Sequence, residues 1–397
     1  NFNYNFAGLL DGAGRDKTNS DDFWYTAAFN LTPLAGLSIK GDYTGNKFYQ
    51  DQTQHGKILY QTMPEESTLS PLSVGTPGGV TKANYGDTYQ ALNLWADYKK
   101  SFNDKHNLGV MVGYNQESKK TTKLSVSTSN LFDNNFPVTD LASTYNMPSE
   151  EATIWAVQGA FFRLNYDYMQ KYLLEVNGRY DGSSKYMSGD RWGFFPSVSA
   201  GWRISEEQFW KENENLSFIN NLKLKASYGI LGNNNIGNYP YQSVYSLGQE
   251  QNYVFGGVYT QGAAVTTYVD PGLKWERTRT TDVGIETAFF NNKLTFNASY
   301  FYRKTTDVLY KPAASYSSIF GLSVSQVNTG ELENKGWEFE IGHQNTIGKF
   351  HYHINGNFSI IDNKVLTLGM GNVTQNNGMV GNGSDLFIGY PMQMFYG

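Results

Sequence analysis

Apolar and polar side chains alternate along twelve stretches of this chain. In residues 37–44, Leu, Ile and Tyr take odd positions, and Ser, Lys, Asp and Thr take even ones. Residues 222–228 and 350–358 repeat the pattern. Because successive side chains of a β-strand point to opposite sides, a period of two predicts a sheet with one apolar and one hydrophilic face.

These stretches predict six hairpins joined by connections of unequal length. The connections within hairpins are rich in Gly, Pro, Asn or Asp, residues that reverse a chain in few steps. The fourth is longer, at 205–219, and its residues 206–211 predict one or two helical turns. The predicted strand pairs are 23–32 with 37–48, 89–102 with 106–116, 152–168 with 172–181, 192–204 with 220–231, 274–290 with 293–304, and 333–346 with 349–361.

Four of the five connections between hairpins are long: 49–88, 117–151, 232–272 and 305–332. Short turns on the periplasmic side and long loops outside are typical of a transmembrane β-barrel. A soluble β-sandwich also alternates, but the predicted strands exceed the usual five or six residues of a soluble sheet. Aromatic residues also crowd the strand ends, as at Phe23-Trp24-Tyr25. We therefore predict an all-β fold, an antiparallel transmembrane β-barrel.

Composition supports this fold class. Aromatic residues make up 16% of the 397 residues, yet the mean hydropathy is −0.49, and no run of about 18 apolar residues suits a membrane helix. A barrel accommodates both facts, since only every second strand residue faces lipid. Cys is absent, which excludes disulfides and cysteine metal sites, and the net charge of −5 gives no support for a nucleic-acid partner.

The alternation assigns side chains to the two predicted faces. The polar alternates include Lys40 and Asp42, which we expect in the lumen together with the candidate lumen-facing residues Arg179, Asp181, Lys223, Lys225, His351 and His353. His351 and His353 have a spacing that can present two metal ligands, but no third ligand is near in sequence, so we predict no metal. The side chains expected to face lipid are Leu37, Ile39, Tyr43, Leu222, Leu224, Tyr228, Phe350, Tyr352, Ile354 and Phe358.

The segment 232–272 is the candidate ligand or lid-contact loop. Flat aromatic rings cover the apolar faces of sugars, and Asn and Gln can bind the hydroxyls. The alternative is a loop that folds on its own aromatic side chains. Its candidate residues are Tyr239, Tyr241, Gln242, Tyr245, Tyr253, Phe255, Tyr259 and Tyr268. No Ser/His/Asp set of the kind used in nucleophilic catalysis stands out, and no glycosidase-type carboxylate pair can be singled out. We therefore predict no catalytic residue, no enzyme activity and no cofactor.

Several motifs in residues 154–397 occur in the same order as in the SusC/RagA family of TonB-dependent transporters, and the chain resembles that family. The motifs include Arg179-Tyr180-Asp181-Gly182-Ser183-Ser184-Lys185-Tyr186, Arg191-Trp192-Gly193-Phe194-Phe195-Pro196-Ser197, Leu273-Lys274-Trp275-Glu276 and Ile388-Gly389-Tyr390-Pro391. Residues 1–150 fit only by architecture. Near the end, Met392-Gln393-Met394 stands where the family commonly has a small residue before Phe-Tyr-Gly.

The resemblance implies that residues 1–397 are part of an outer-membrane β-barrel domain, about twelve strands of a barrel of about 22. The plug, the N-terminal extension and the closing strands would lie outside this sequence. It further implies active import of oligosaccharides or peptides across the outer membrane of a Gram-negative, Bacteroidetes-type cell. A SusD-like surface lipoprotein would be the partner, and the N-terminal region would contact the TonB complex. The alternatives are a passive porin, a surface adhesin on a barrel, or a soluble carbohydrate-binding β-protein.

Overall fold

The structure is a computed structural model of an almost entirely β protein. It describes Gly12 and residues 14–62, 69–72, 78–133, 135–247, 251–310, 321–368 and 388–392. Its twelve long strands are β1 (Gly14–Leu34), β2 (Leu37–Gly56), β3 (Gly79–Phe102), β4 (His106–Leu131), β5 (Ser149–Tyr168), β6 (Tyr172–Ser183), β7 (Trp192–Arg203), β8 (Ile219–Asn233), β9 (Glu276–Phe289), β10 (Leu294–Tyr310), β11 (Val327–Ile347) and β12 (Phe350–Leu368).

The twelve strands are neighbours in chain order, from β1 through β12. From β5 to β12, each strand pairs with the next in an antiparallel register. A short strand, Ala142–Tyr145, pairs with β4 beside this path. The twelve predicted strands and their six hairpins are thus confirmed.

The tight turns have the backbone that the sequence predicts. Asn103 and Asp104 have φ of 51° and 53°, and Asn291 and Asn292 have φ of 56° and 61°. Paired positive φ angles match the twist of the flanking strands, and Asn and Asp adopt them more readily than most residues. The predicted helical turns after β7 are also confirmed, as short helices at Ile204–Glu206, Gln208–Lys211 and Glu214–Leu216. No described helix is long and apolar enough to cross a membrane.

Packing divides the chain into two compact units. One comprises Asn1–Ala28, Asp42–Leu92 and Gln116–Ala156. In this unit, Lys119 forms an ion pair with Asp87 at 2.7 Å, and Trp24 lies against Tyr89 with ring centroids 6.0 Å apart. The other unit comprises Phe29–Gly41, Asn93–Asn115 and Val157–Gly397.

In the second unit, the apolar face of the sheet is exposed. Along β8, Leu224 and Tyr228 are 42% and 43% exposed, whereas the intervening Lys225 is half-buried. On β12, Ile354 and Phe358 are 65% and 64% exposed. A water-soluble sheet buries its apolar face against a second layer. Exposed apolar faces instead suit strands that are solvated by lipid.

The exposed apolar face has the height of a bilayer core. On β12, its outward residues run from Phe350 to Ile360, ten residues apart. At roughly 3.3 Å per residue and a tilt near 40°, that distance spans about 25 Å, the height of the apolar band of outer-membrane barrels.

Aromatic rings mark both ends of the band. Tyr172 stacks on Tyr168 and Trp202 near the short turns, at centroid distances of 6.3 and 6.4 Å. At the other end Tyr180 stacks on Trp192 at 5.0 Å. These positions agree with the crowding of aromatic residues at the predicted strand ends and suit the interfacial girdles of outer-membrane barrels.

Candidate functional site

The register of the second unit places all six candidate lumen residues on one face of the sheet. Arg179 and Asp181 are two apart on β6, Lys223 and Lys225 on β8, and His351 and His353 on β12. Stepping from partner to partner across the strands keeps these positions on the side opposite the exposed apolar face. The polar face is therefore continuous, as predicted; its assignment to a barrel lumen stays a prediction.

Arg179 and Asp181 form a two-point ion pair on this face. The guanidinium Nε and Nη2 donate to the carboxylate oxygens at 3.1 and 2.9 Å. The same guanidinium lies over the ring of Phe161, 5.2 Å from its centroid. Fork-shaped pairing and ring stacking are the geometries in which Arg is held most rigidly. Arg179 remains 45% exposed at its side chain, so it can still meet a solute.

One carboxylate joins the two lysines of β8. Glu286 of β9 pairs with Lys223 at 3.1 Å and with Lys225 at 3.2 Å. Two cations share one anion, which leaves a local positive excess. The sequence analysis did not identify Glu286 because cross-strand pairing depends on register. Its spacing of four from Asp282 on the same strand face was the available signal.

The polar face also bears an open groove of about 880 Å³ near the short turns. Small side chains at Gly109, Ser199 and Gly201 create the depression. Its charged walls carry both signs, which suits a polar solute or a polar protein surface better than an apolar ligand. The charged lining residues are Lys99, Lys100, Asp167, Glu175, Lys223, Lys225 and Asp282.

The histidine pair lies at the short-turn end of β12. Its depression of about 510 Å³ is lined also by Lys293, Gln344 and Thr346. The Nδ1 of His351 is 2.8 Å from the hydroxyl of Thr346. Within the described ranges, no group of three or more His, Cys, Asp or Glu side chains is placed to hold a metal ion.

The candidate loop carries small strands of its own. Tyr245–Leu247 pairs with Ala263–Val265, and Tyr253–Phe255 pairs with Val258–Thr260. Gly256 and Gly257 have φ of 57° and 81°, which allows the two-residue turn of the second hairpin. Thr267–Tyr268 pairs with Ser323–Val324 of the next long connection. The described residues of the loop thus take part in three pairs of short strands.

The hairpin Tyr253–Thr260 exposes apolar side chains on both faces. Phe255 is 66% exposed and Tyr259 is 77% exposed, and the ring of Tyr253 lies 6.3 Å from that of Phe255. Tyr245 is 73% exposed on the neighbouring strand pair. Tyr239, Tyr241 and Gln242 lie in a separate turn closed by a hydrogen bond from the Gln242 amide to the Tyr239 carbonyl. The rings of this hairpin are therefore exposed among the described residues.

A buried cluster that the sequence analysis missed fixes the base of this loop. Tyr186 and Leu273 are fully buried beside Phe195, Ile236 and Trp275. The indole of Trp275 donates to the carbonyl of Arg191 at 2.9 Å, and Gly232 lies against the Phe195 ring. The family-like motifs at residues 179–186 and 191–197 are therefore in part packing motifs.

Burial also shifts two pKa values in this cluster. It lowers the pKa of Lys185, whose ammonium donates to the Asn234 carbonyl at 3.3 Å. Burial, followed by the nearby charge of Glu276, raises the pKa of Tyr186 well above its usual range. Tyr186 thus stays neutral and acts as a core residue in this cluster.

Comparison with known proteins identifies the family. The family model described as "TonB dependent receptor-like, beta-barrel" matches residues 1–393. The chain belongs to the TonB-dependent receptor β-barrel family.

Its curated relatives come from two bacteria. The TonB-dependent receptor P3 of Formosa agariphila is 30% identical over 344 residues, which are 84% of this chain and 32% of that protein. The TonB-dependent receptor SusC of Bacteroides thetaiotaomicron is 29% identical over 384 residues, 88% of this chain and 36% of that protein. The chain thus spans about a third of the length of these relatives. The match to SusC confirms the resemblance to the SusC/RagA family.

A solved structure supports the fold. The RagAB peptide transporter superposes with a TM-score of 0.80 at 22% identity, covering 96% of this chain and 40% of that one. A coverage of 96% extends into residues 1–150, where the sequence motifs gave no specific match. The predicted fold class, an antiparallel barrel of the TonB-dependent type, is confirmed.

Proposed function

We propose that this chain forms part of the wall of an outer-membrane importer that is powered through TonB. The observation that carries the proposal is the two-faced sheet: a band of exposed apolar side chains about 25 Å tall on one side and a continuous polar face on the other. Membership of the TonB-dependent receptor family supports the energy source. The proposed role of the polar face is to line the solute path or to hold a plug, without any catalytic step.

We further propose that the cargo is an oligosaccharide or a peptide and that a SusD-like lipoprotein covers the long loops. The match to SusC and the fold shared with a peptide transporter support these two cargo classes. The exposed hairpin Tyr253–Thr260 supports the partner, because apolar patches left bare on a protein surface usually mark interaction sites. Its rings suit either the lipoprotein or the apolar faces of sugars.

Uptake in the native bacterium tests the energy source. We expect accumulation of the cargo to require both this receptor and TonB, and to stop when an uncoupler removes the proton-motive force. A passive porin would continue to admit the cargo under both conditions. A surface adhesin would bind cargo outside the cell without accumulation. Either of these results would contradict the importer proposal.

Removal of the aromatic hairpin tests the partner surface. The variant Tyr253→Ser, Phe255→Ser, Tyr259→Ser in the intact receptor should reduce co-purification of the lipoprotein, because three exposed rings are lost. The matched control replaces Thr281, Val283 and Ile285 of β9 by Ala, which keeps the strand and leaves the loop unchanged. Unchanged lipoprotein association and unchanged uptake in the hairpin variant would show that the loop only packs on itself.

A further inference from the structure

Basic side chains lie on the outward face of the sheet, just beyond the end of its apolar band. Val283, Tyr300, Trp337 and Ile360 are cross-strand neighbours and form the last apolar level on the long-loop side of β9 to β12. A second level lies on the same face, four residues further from the short turns along each strand. We call this level the basic row. The basic row consists of Arg279, Lys304, Glu333 and Lys364.

The period of two along each strand fixes the face of the sheet on which the basic row lies. Arg279 is four residues from Val283 on β9, and Lys364 is four residues from Ile360 on β12, so each shares a face with the exposed apolar residue. Val283 and Ile360 are 46% and 55% exposed. The row is therefore on the face that meets the membrane and not on the polar face of the candidate site.

Cations outnumber anions at this level. Arg277 and Lys335 flank the row, which gives five cations against the three carboxylates of Glu331, Glu333 and Asp362. Lys304 pairs with Glu331 at 2.9 Å, and Lys335 pairs with Glu333 at 3.1 Å. Lys364 is exposed and forms no ion pair with any described residue. The surplus is positive although the whole chain carries a net charge of −5.

The spacing of the row suits a ligand with several anionic groups. Arg279 and Lys364 are separated by three steps between neighbouring strands. At about 4.8 Å per step they lie about 14 Å apart on a rigid ladder. Side chains just beyond an apolar band lie at the level of lipid headgroups, where Lys and Arg attract anionic lipids.

We propose that the basic row binds the phosphate-bearing headgroup of a lipid in the outer leaflet. The inference rests on the proposed membrane location and adds a lipid site outside the transport path. The apolar levels below the row would contact the acyl chains of the same lipid. The basic row lies directly above Val, Tyr, Trp and Ile side chains, as a charged headgroup lies above its acyl chains.

Native mass spectrometry of the intact receptor in a non-ionic detergent tests the site, with bisphosphorylated lipid A as the probe. The variant Arg279→Gln, Lys304→Gln, Lys364→Gln should bind lipid A at least about tenfold more weakly, since each Lys or Arg near an anionic surface contributes roughly a fivefold effect. Dephosphorylated lipid A should bind the wild type as weakly as this variant binds the phosphorylated form. Heat-modifiable migration on a gel checks that the variant is folded.

Two matched variants complete the test. Lys105→Gln, Lys293→Gln, Lys349→Gln removes three exposed cations from the short turns and should bind lipid A like the wild type. Arg279→Lys keeps the charge of the row and should also bind like the wild type. Equal binding by the row variant, or equal binding of both lipids, would overturn the proposal. Loss of lipoprotein association with intact lipid binding would assign the row to a protein surface instead. Cargo uptake, measured separately, reports on the proposed function and not on this site.

Discussion

At the scale of single residues, the direction of a side chain decides its environment. Ile354 and Asn355 are adjacent on β12, yet the register pairs Ile354 with His343 on the apolar face and Asn355 with Gly342 on the polar face. Both residues are exposed. Exposure alone does not show whether a side chain meets lipid or water. The period of two does, because it assigns each residue to a face that is mainly apolar or mainly polar.

Two adjacent substitutions test this assignment. Ile354→Lys places a charge near the middle of the apolar band and should lower the free energy of unfolding by about 2–4 kcal/mol. Asn355→Lys, one residue further, should change it by less than about 1 kcal/mol because the polar face is hydrated. Urea titration of the intact receptor in lipid vesicles, followed by tryptophan fluorescence, measures both. Equal effects of the two lysines would contradict the assignment of faces.

At the scale of elements, the connection after β7 is held by a compact network of charges. Glu206 accepts from Lys211 at 2.6 Å and from Arg203 at 3.0 Å. The hydrogen bond from Lys211 lowers the pKa of the Glu206 carboxyl against the opposing effect of burial. Glu207 accepts from the Tyr172 hydroxyl at 2.6 Å and from the Trp202 indole at 3.0 Å, and these bonds lower its pKa. The network ties the helical turns to the aromatic girdle.

The lowered pKa of Glu206 predicts acid-dependent stability. A carboxylate whose pKa falls on folding stabilises the folded state above its unfolded pKa, near 4.5, and this contribution is lost as the pH falls through the folded pKa. Glu206→Gln should therefore lower the melting temperature at pH 7 and show a smaller further loss below about pH 4.5 than the wild type. Differential scanning calorimetry in detergent measures both quantities.

Glu214→Gln is the matched control for this prediction. Glu214 lies in the same connection and forms no ion pair with the residues that the structure describes. This variant should keep the melting temperature and the pH dependence of the wild type. A Glu206 variant with the same pH profile as the control would show that the network does not stabilise the folded state.

Elements were more predictable from the sequence than contacts. The alternation in residues 293–304 predicted β10, which continues to Tyr310 through Thr305, Thr306 and Asp307. The extension was missed because strands that continue beyond the apolar band lose the apolar residue at every second position. The Glu286 bridge and the Trp275 cluster were missed because both join segments far apart in sequence, and only register and tertiary packing bring them together.

At the scale of the whole molecule, the sheet has two ends among the described residues. In the strand order, β1 and β12 each have one neighbour, β2 and β11. An unpaired strand edge exposes backbone N–H and C=O groups that lipid cannot satisfy. Because the chain spans about a third of its curated relatives, we predict that strands outside this sequence pair with β1 and β12 in the intact receptor.

Engineered disulfides test this closure, and the absence of Cys from these 397 residues makes each introduced pair unambiguous within them. In the intact receptor, cysteines replacing Ala27 of β1 and Ile354 of β12 should not cross-link, because other strands lie between them. Cysteines replacing Gln344 and His353 are the positive control, since these residues are direct cross-strand partners on β11 and β12 and their Cα atoms should lie within the reach of a disulfide. Oxidation followed by non-reducing electrophoresis reads out both pairs. An efficient bond between β1 and β12 would show that the twelve strands close on themselves, and the proposal of a larger barrel would then be wrong.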